Sequence, residues 1–257
     1  MEGLYICAMI KRLTTLAVLV FSTQVIRAQE TEVQADTTSF SIGFNGTGSL
    51  NKTGGNTAYV FNNGLRFGMI RNRFDLSTGG TWIYGENGIE KTNNDFSFFA
   101  DLSYLKGYKR VYYWGLTTYD KSFSLKIADR LQAGGGVGFT VADRDHFRLV
   151  ITDGPLYEKT ALREQDKYGR LHYETLRNSF RIKFLFEWAD RFVLDGTDYI
   201  QNSLSDGNDY IIRSVTNLSI KLYKSLNLKT TLTYNRLNLT GTENLLFTYG
   251  ISFDKEF

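Results

Sequence analysis

The sequence predicts an all-β fold: a single antiparallel transmembrane β-barrel of about 12 strands (range 10–14) with a polar lumen. Three observations predict it. From Ser39 onward apolar residues recur at every second position in segment after segment, and no helical period lasts longer than about three turns. Only 1 proline stands against 24 glycines, and proline cannot donate to a strand ladder. The mean hydropathy of -0.27 is too low for a bundle of membrane helices. It fits a chain in which only alternate residues meet lipid.

The elements follow in order. Phe40, Ile42 and Phe44 open the first strand. Tyr59, Phe61, Leu65, Phe67 and Met69 mark the second, and Phe74, Leu76, Trp82 and Tyr84 the third. Phe96, Phe98, Ala100, Leu102 and Tyr104 give the fourth, and Val111–Tyr119 the fifth. Leu131, Ala133, Val137, Phe139 and Val141 form the sixth, and Phe147, Leu149 and Ile151 the seventh. Phe180, Ile182, Phe184, Phe186 and Trp188 form the eighth, and Arg191–Ile200 a weaker ninth. Thr216, Leu218, Ile220 and Leu222 give the tenth, and Leu226, Leu228, Leu232 and Tyr234 the eleventh. The run Phe247, Tyr249, Ile251, Phe253 is the twelfth.

The intervening positions are polar. Arg181, Lys183, Glu187, Arg213, Lys221 and Lys229 are the candidate lumen-facing charges, since charges inside long strands need water or each other. Tight turns are expected at Arg71–Arg73, Lys106–Arg110, Asp143–Asp145 and Lys224–Asn227. Longer loops are expected at Tyr84–Asp95, Asp120–Arg130, Glu158–Thr175 and Asn202–Asp209. Short turns at one end and longer loops at the other are the outer-membrane barrel pattern. Trp82, Tyr84, Tyr112, Trp114, Trp188 and Tyr234 read as girdle residues at the membrane interfaces.

Residues 1–28 read as a signal peptide: Lys11 and Arg12 precede the apolar run Leu13–Phe21, and cleavage is expected after Ala28. Met1 or Met9 starts it. Residues 29–38 are a short periplasmic lead-in and 39–257 the barrel. Of 30 basic and 27 acidic side chains, three and one lie in residues 1–28, so the remainder is close to neutral and carries no nucleic-acid footprint. Cys7, the only cysteine, leaves with the signal peptide, so disulfides are excluded. Export places the barrel in the outer membrane of a diderm bacterium, with lipid and lipopolysaccharide as its surroundings.

Closure is required because an open edge in lipid leaves unpaired N–H and C=O groups at several kcal/mol each. The last strand must therefore pair with the first. Tyr249, Ile251, Phe253 and the terminal Phe257 also resemble the signal by which the β-barrel assembly machinery recognises its clients; Lys255 departs from it.

Gly54–Thr57, Thr92–Leu105, Tyr113–Phe123, Arg130–Phe139 and Asp153–Lys159 occur in an order that resembles the outer-membrane β-barrel family of unknown function that includes the salt-induced outer-membrane proteins. The resemblance covers nearly all of 39–257, and its most specific part is the Gly-rich strand followed by Gly-Pro and Tyr-Glu. It implies fold and location, and brings no catalytic residue, metal or cofactor.

Other chemistry reads weakly. Ala133–Phe139 lacks the ending of a phosphate-binding loop and fits a strand whose inner face is glycine. His146 and His172 are the only histidines and are expected at opposite ends of the barrel. That disfavours a dyad of His172 with Ser122, Ser203 or Ser205. Asp206, Asn208 and Asp209 only partly resemble a calcium loop. The expected role is an integral barrel, either a narrow pore or a salt- or envelope-stress-related structural protein. The alternatives are a lipid-modifying enzyme in the same membrane and a soluble lipocalin-like carrier.

Overall fold

The computed structural model describes residues 38–106, 109–189 and 191–257. The expected signal peptide lies outside these residues, as does most of the lead-in. Twelve strands follow one another: β1 (Thr38–Thr53), β2 (Asn56–Arg71), β3 (Phe74–Asn87), β4 (Glu90–Tyr104), β5 (Val111–Ser122), β6 (Ile127–Arg144), β7 (Phe147–Leu162), β8 (His172–Trp188), β9 (Phe192–Ser203), β10 (Tyr210–Tyr223), β11 (Leu226–Leu237) and β12 (Thr242–Glu256). Each pairs antiparallel with the next, and β12 closes on β1.

The seam runs from Ser41 opposite Glu256 to Gly48 opposite Tyr249. Phe40 N–H donates to the Phe257 carbonyl at 3.2 Å, and Phe257 N–H donates back to Phe40 at 2.8 Å. The terminal residue is therefore part of the closure. Inside the seam the hydroxyls of Thr47 and Thr248 meet at 2.9 Å.

Period two decides what each side chain faces. On β5, Tyr112, Trp114, Leu116, Thr118, Asp120 and Ser122 are buried, while Val111, Tyr113 and Thr117 are exposed. On β8, Arg177, Ser179 and Arg181 are buried, while Leu176, Phe180 and Phe186 are exposed. The outer wall carries Phe44, Phe61, Leu65, Phe96, Leu232 and Ile251 in the open. A soluble barrel turns its apolar face inward around a small cavity, so the carrier reading does not fit this wall.

Two expectations change. The loops expected at Tyr84–Asp95 and Asp120–Arg130 are mostly strand, and half of Glu158–Thr175 is, because alternation continues through their polar residues. The chain turns only at residues 88–89, 123–126 and 163–171. Tyr112 and Trp114 are not girdle residues: they share the inward parity of β5 and are 1% and 5% exposed. Trp82 and Trp188 do face outward, and Trp188 stacks on Phe192 with ring centroids 4.7 Å apart.

The Gly-rich strand lets β6 approach β7 closely. Gly136 faces Gly154, and a Cβ on Gly136 would stand 2.1 Å from the Asp153 carbonyl oxygen. Farther along, the Tyr112 ring occupies the place a Gly138 side chain would take, 2.2 Å from that Cβ. Glycine on the inner face makes room for a bulky neighbour in the lumen, as the sequence led us to expect.

Candidate functional site: the lumen

The lumen is layered. At the loop end, opposite the termini, Leu125, Ile127, Leu162, Tyr173, Ile211, Leu237 and Leu239 form a buried apolar cluster. The β7–β8 loop is fastened over this end. Its Lys167 N–H donates to the Leu239 carbonyl at 3.2 Å and its Lys167 Nζ to the Asn208 carbonyl at 2.9 Å. Tyr168 Oη donates to Asp206 at 2.7 Å. Within the loop, burial pushes the Asp166 carboxyl upward. The backbone N–H groups of Arg170 and Tyr168 and the Arg170 guanidinium outweigh this and hold it below the usual range. The Tyr168 hydroxyl likewise lowers Asp206.

Beneath the cluster lies an ionic network. Arg177 grips Glu158 in bidentate fashion, Nε to Oε2 at 2.8 Å and Nη2 to Oε1 at 2.9 Å, with both side chains fully buried. Its Nη1 meets Asp209 at 2.8 Å, which tethers the β9–β10 loop to the wall. Gln132 donates to Glu158 at 2.5 Å and to Gln201 at 2.8 Å. Arg130 pairs with Asp120 at 3.0 Å.

Two further ties cross the lumen. Arg181 and Lys183 on β8 reach Asp101 on β4 at 2.6 and 2.9 Å. Arg213 on β10 reaches Ser97 on β4 at 3.3 Å and Asp120 on β5 at 3.5 Å. Toward the termini end, Tyr112, Trp114, Leu116, Val150 and Leu156 form a second apolar cluster, and the Arg181 guanidinium lies 5.1 Å from the Trp114 ring.

Beside this filled sector the lumen stays open. One cavity of ≈ 170 Å³ lies along β2, β3 and β10–β12, and another of ≈ 360 Å³ runs below it toward β4, β8 and β9. Arg66, Thr81, Ser97, Arg130, Arg213 and Asn217 line both. Asp101, Asp120 and Glu158 are each held by an arginine. Arg66 and Lys229 face the open cavities, and Asp195 there accepts from Asn217 at 2.8 Å.

Of the charges expected in the lumen, Arg181, Lys183, Arg213 and Lys229 sit as described. Glu187 holds an inward position near the termini end of β8, and Lys221 is exposed at the same end of β10, outside both cavities. Sequence reasoning passed over Arg66, Asp101, Asp120, Arg130, Glu158, Arg177 and Asp195. Several of these lay in stretches taken for loops. Carrying the inward parity of β5 two residues past Thr118, or that of β8 four residues back from Arg181, would have found Asp120 and Arg177. His146 lies in the β6–β7 turn and His172 at the far end of β8, so the two share no site. Asp206 points to Tyr168 while Asp209 turns in to Arg177, so the calcium-like turn does not gather its carboxylates.

Residues 46–251 match the family described as a protein of unknown function, DUF481. The chain belongs to that family. Among solved structures the DUF481 barrel is similar to the NanC porin, at 11% identity and a TM-score of 0.51 over 83% of this chain and 98% of that one. This likeness supports the fold, an all-β closed antiparallel barrel of outer-membrane type. The translocator domain of autotransporter NalP from Neisseria meningitidis aligns over 96% of both chains at 13% identity and a TM-score of 0.48. The KdgM porin in complex with disordered oligogalacturonate aligns over 83% of this chain and 98% of that one at 11% identity, with a TM-score of 0.44. No curated protein matches the sequence.

Proposed function

We propose that this DUF481 barrel spans the outer membrane and acts as a narrow, anion-preferring pore for small solutes rather than as an enzyme. The outward belt of Phe, Leu and Ile supports the membrane reading, since each such side chain left in water forgoes about 1.5–3 kcal/mol of burial. The observation that carries the pore reading is the pair of adjoining cavities whose lining holds six basic residues, Arg66, Lys121, Arg130, Lys183, Arg213 and Lys229, against four acidic ones, Asp95, Asp101, Asp120 and Asp195. Cations fixed in a low-dielectric tube raise the local concentration of anions. The apolar clusters and the fastened β7–β8 loop narrow the path, so conductance should be small.

Single-channel recording of the chain in a planar bilayer tests this. The expected result is small, reproducible steps with anion preference, shifted toward cations when Arg66, Arg213 and Lys229 are changed together to Gln. An inserted barrel that never conducts would overturn it in favour of a filled structural barrel.

The same reading gives the C-terminal strand a second task. Tyr249, Ile251, Phe253 and Phe257 all face outward and are exposed, so they can be read by the assembly machinery before the seam closes. Removing Phe257 also removes the hydrogen-bond pair to Phe40. We expect a severalfold drop in folded barrel in the outer membrane, measured by heat-modifiable migration on gels. Unchanged yield would remove the recognition role.

A further inference from the structure

The outer wall is not uniform. On β12 and β1–β4 the outward positions carry charge only near the strand ends, at Lys52, Arg71, Glu86, Lys91, Glu243 and Lys255. On β7–β10 polar residues interrupt the middle of the wall. Asp153 on β7 points outward diagonal to Asn178 on β8, and Asp198 on β9 points outward beside Ser214 and near Thr216 on β10, with Phe180 and Ile182 of β8 between the two carboxylates. Both orientations follow from the register. Asp198 stands opposite Ile182 and next to Tyr199, which pairs with the buried, inward Arg181. Asp153 stands opposite Phe180 and next to the buried, inward Thr152.

Depth matters here. Asp198 lies six residues along β9 from Phe192, at the aromatic stack with Trp188 that marks the termini-end interface. At about 3.3 Å per residue and a tilt of about 40°, that is about 15 Å, near the middle of an apolar band about 25 Å tall. Asp153 likewise lies six residues along β7 from Phe147. A lipid chain offers neither carboxylate a hydrogen-bond donor, and charged side chains facing lipid are destabilising at this depth. Asp153 accepts one hydrogen bond from Asn178 at 2.9 Å within its own wall. Asp198 has apolar Ile182 on one side and Ser214 on the other.

We propose that the β7–β10 wall is covered in the membrane by the same wall of a second copy of this chain. The face holds acceptors, Asp153 and Asp198, and donors, Asn178, Ser214 and Thr216, on adjacent strands. A two-fold axis through the wall sets the donors of one copy against the acceptors of the other, so the face is self-complementary. Four strands at about 4.8 Å spacing and about 25 Å of height make about 480 Å² per copy. About 960 Å² in total is small for an interface in water. It suffices in a bilayer, where both copies are confined to one plane and packing and hydrogen bonds drive association. Gly196 on the same face, covered by the Phe184 ring, keeps the wall smooth.

The inference rests on the membrane reading, and the test separates the two. A photo-cross-linking residue is placed at Thr216, and as a control at Phe44 on the opposite wall. The full chain is expressed in a diderm host and its membranes are fractionated. The expected result is outer-membrane protein that cross-links to a band of twice the chain mass from position 216 and not from position 44. The Asp198→Leu chain, folded by heat-modifiable migration, should lose at least nine-tenths of that band. Outer-membrane protein that gives no doubled band from position 216, or a band with a different protein, overturns the proposal and leaves the membrane reading intact. So does an Asp198→Leu chain that cross-links as well as the parent. A chain recovered in the soluble fraction overturns both.

Discussion

Replacing Arg177 with Ala should destabilise the barrel by about 3–5 kcal/mol, the cost of leaving a buried carboxylate without its partner. Glu158 is fully buried and takes two charge-assisted hydrogen bonds from Arg177. Gln132 and Thr160 also donate to Glu158, yet neither carries charge. Asp209 loses its partner in the same step, which frees the β9–β10 loop from the wall. Denaturant unfolding of the barrel in lipid should show the midpoint falling with little change in slope. Adding Glu158→Gln to the Arg177→Ala chain removes the stranded charge and should recover part of the loss. A single variant as stable as the parent would mean that water reaches Glu158, and that this sector of the lumen is not filled.

The second large effect is steric. Gly136→Val puts a branched side chain where a Cβ alone would meet the Asp153 carbonyl at 2.1 Å and the Gly154 Cα at 2.7 Å. Both are backbone atoms of the paired strand, so the clash is relieved only by separating β6 from β7. A separated pair in lipid strands N–H and C=O groups at several kcal/mol each. The expected outcome is loss of the folded, heat-modifiable form. Gly207→Ala, in a loop with nothing within 4 Å, should fold like the parent and controls for expression. Normal folding of Gly136→Val would show that β6 and β7 stand farther apart than described.

Strand number, order and outer wall were legible because one rule governs the outward half of most strands: Phe, Leu, Ile or Val at alternate positions. The inner face obeys no such rule. Tyr112 and Trp114 read as girdle residues because an aromatic near a strand end suits either the interface or a filled lumen. Only the parity set by Asp120 and Ser122 farther along β5 decides between them. Asp120, Arg130 and Glu158 read as loop residues because charge is what loops carry. Their pairing across neighbouring strands became visible only with the register in hand. The ties from Asp101 to Arg181 and from Asp120 to Arg213 join residues far apart in sequence, and one sequence holds no trace of which inward residues meet across a barrel.

We propose a pore in the DUF481 barrel whose path runs beside the filled sector, past Arg66, Arg213 and Lys229. Single-channel conductance in a planar bilayer, read for reversal potential under a salt gradient, tests it most directly. The expected result is small steps with anion preference that weakens or inverts in the triple Gln variant. A barrel shown to be inserted and folded, yet silent at every potential, would contradict it.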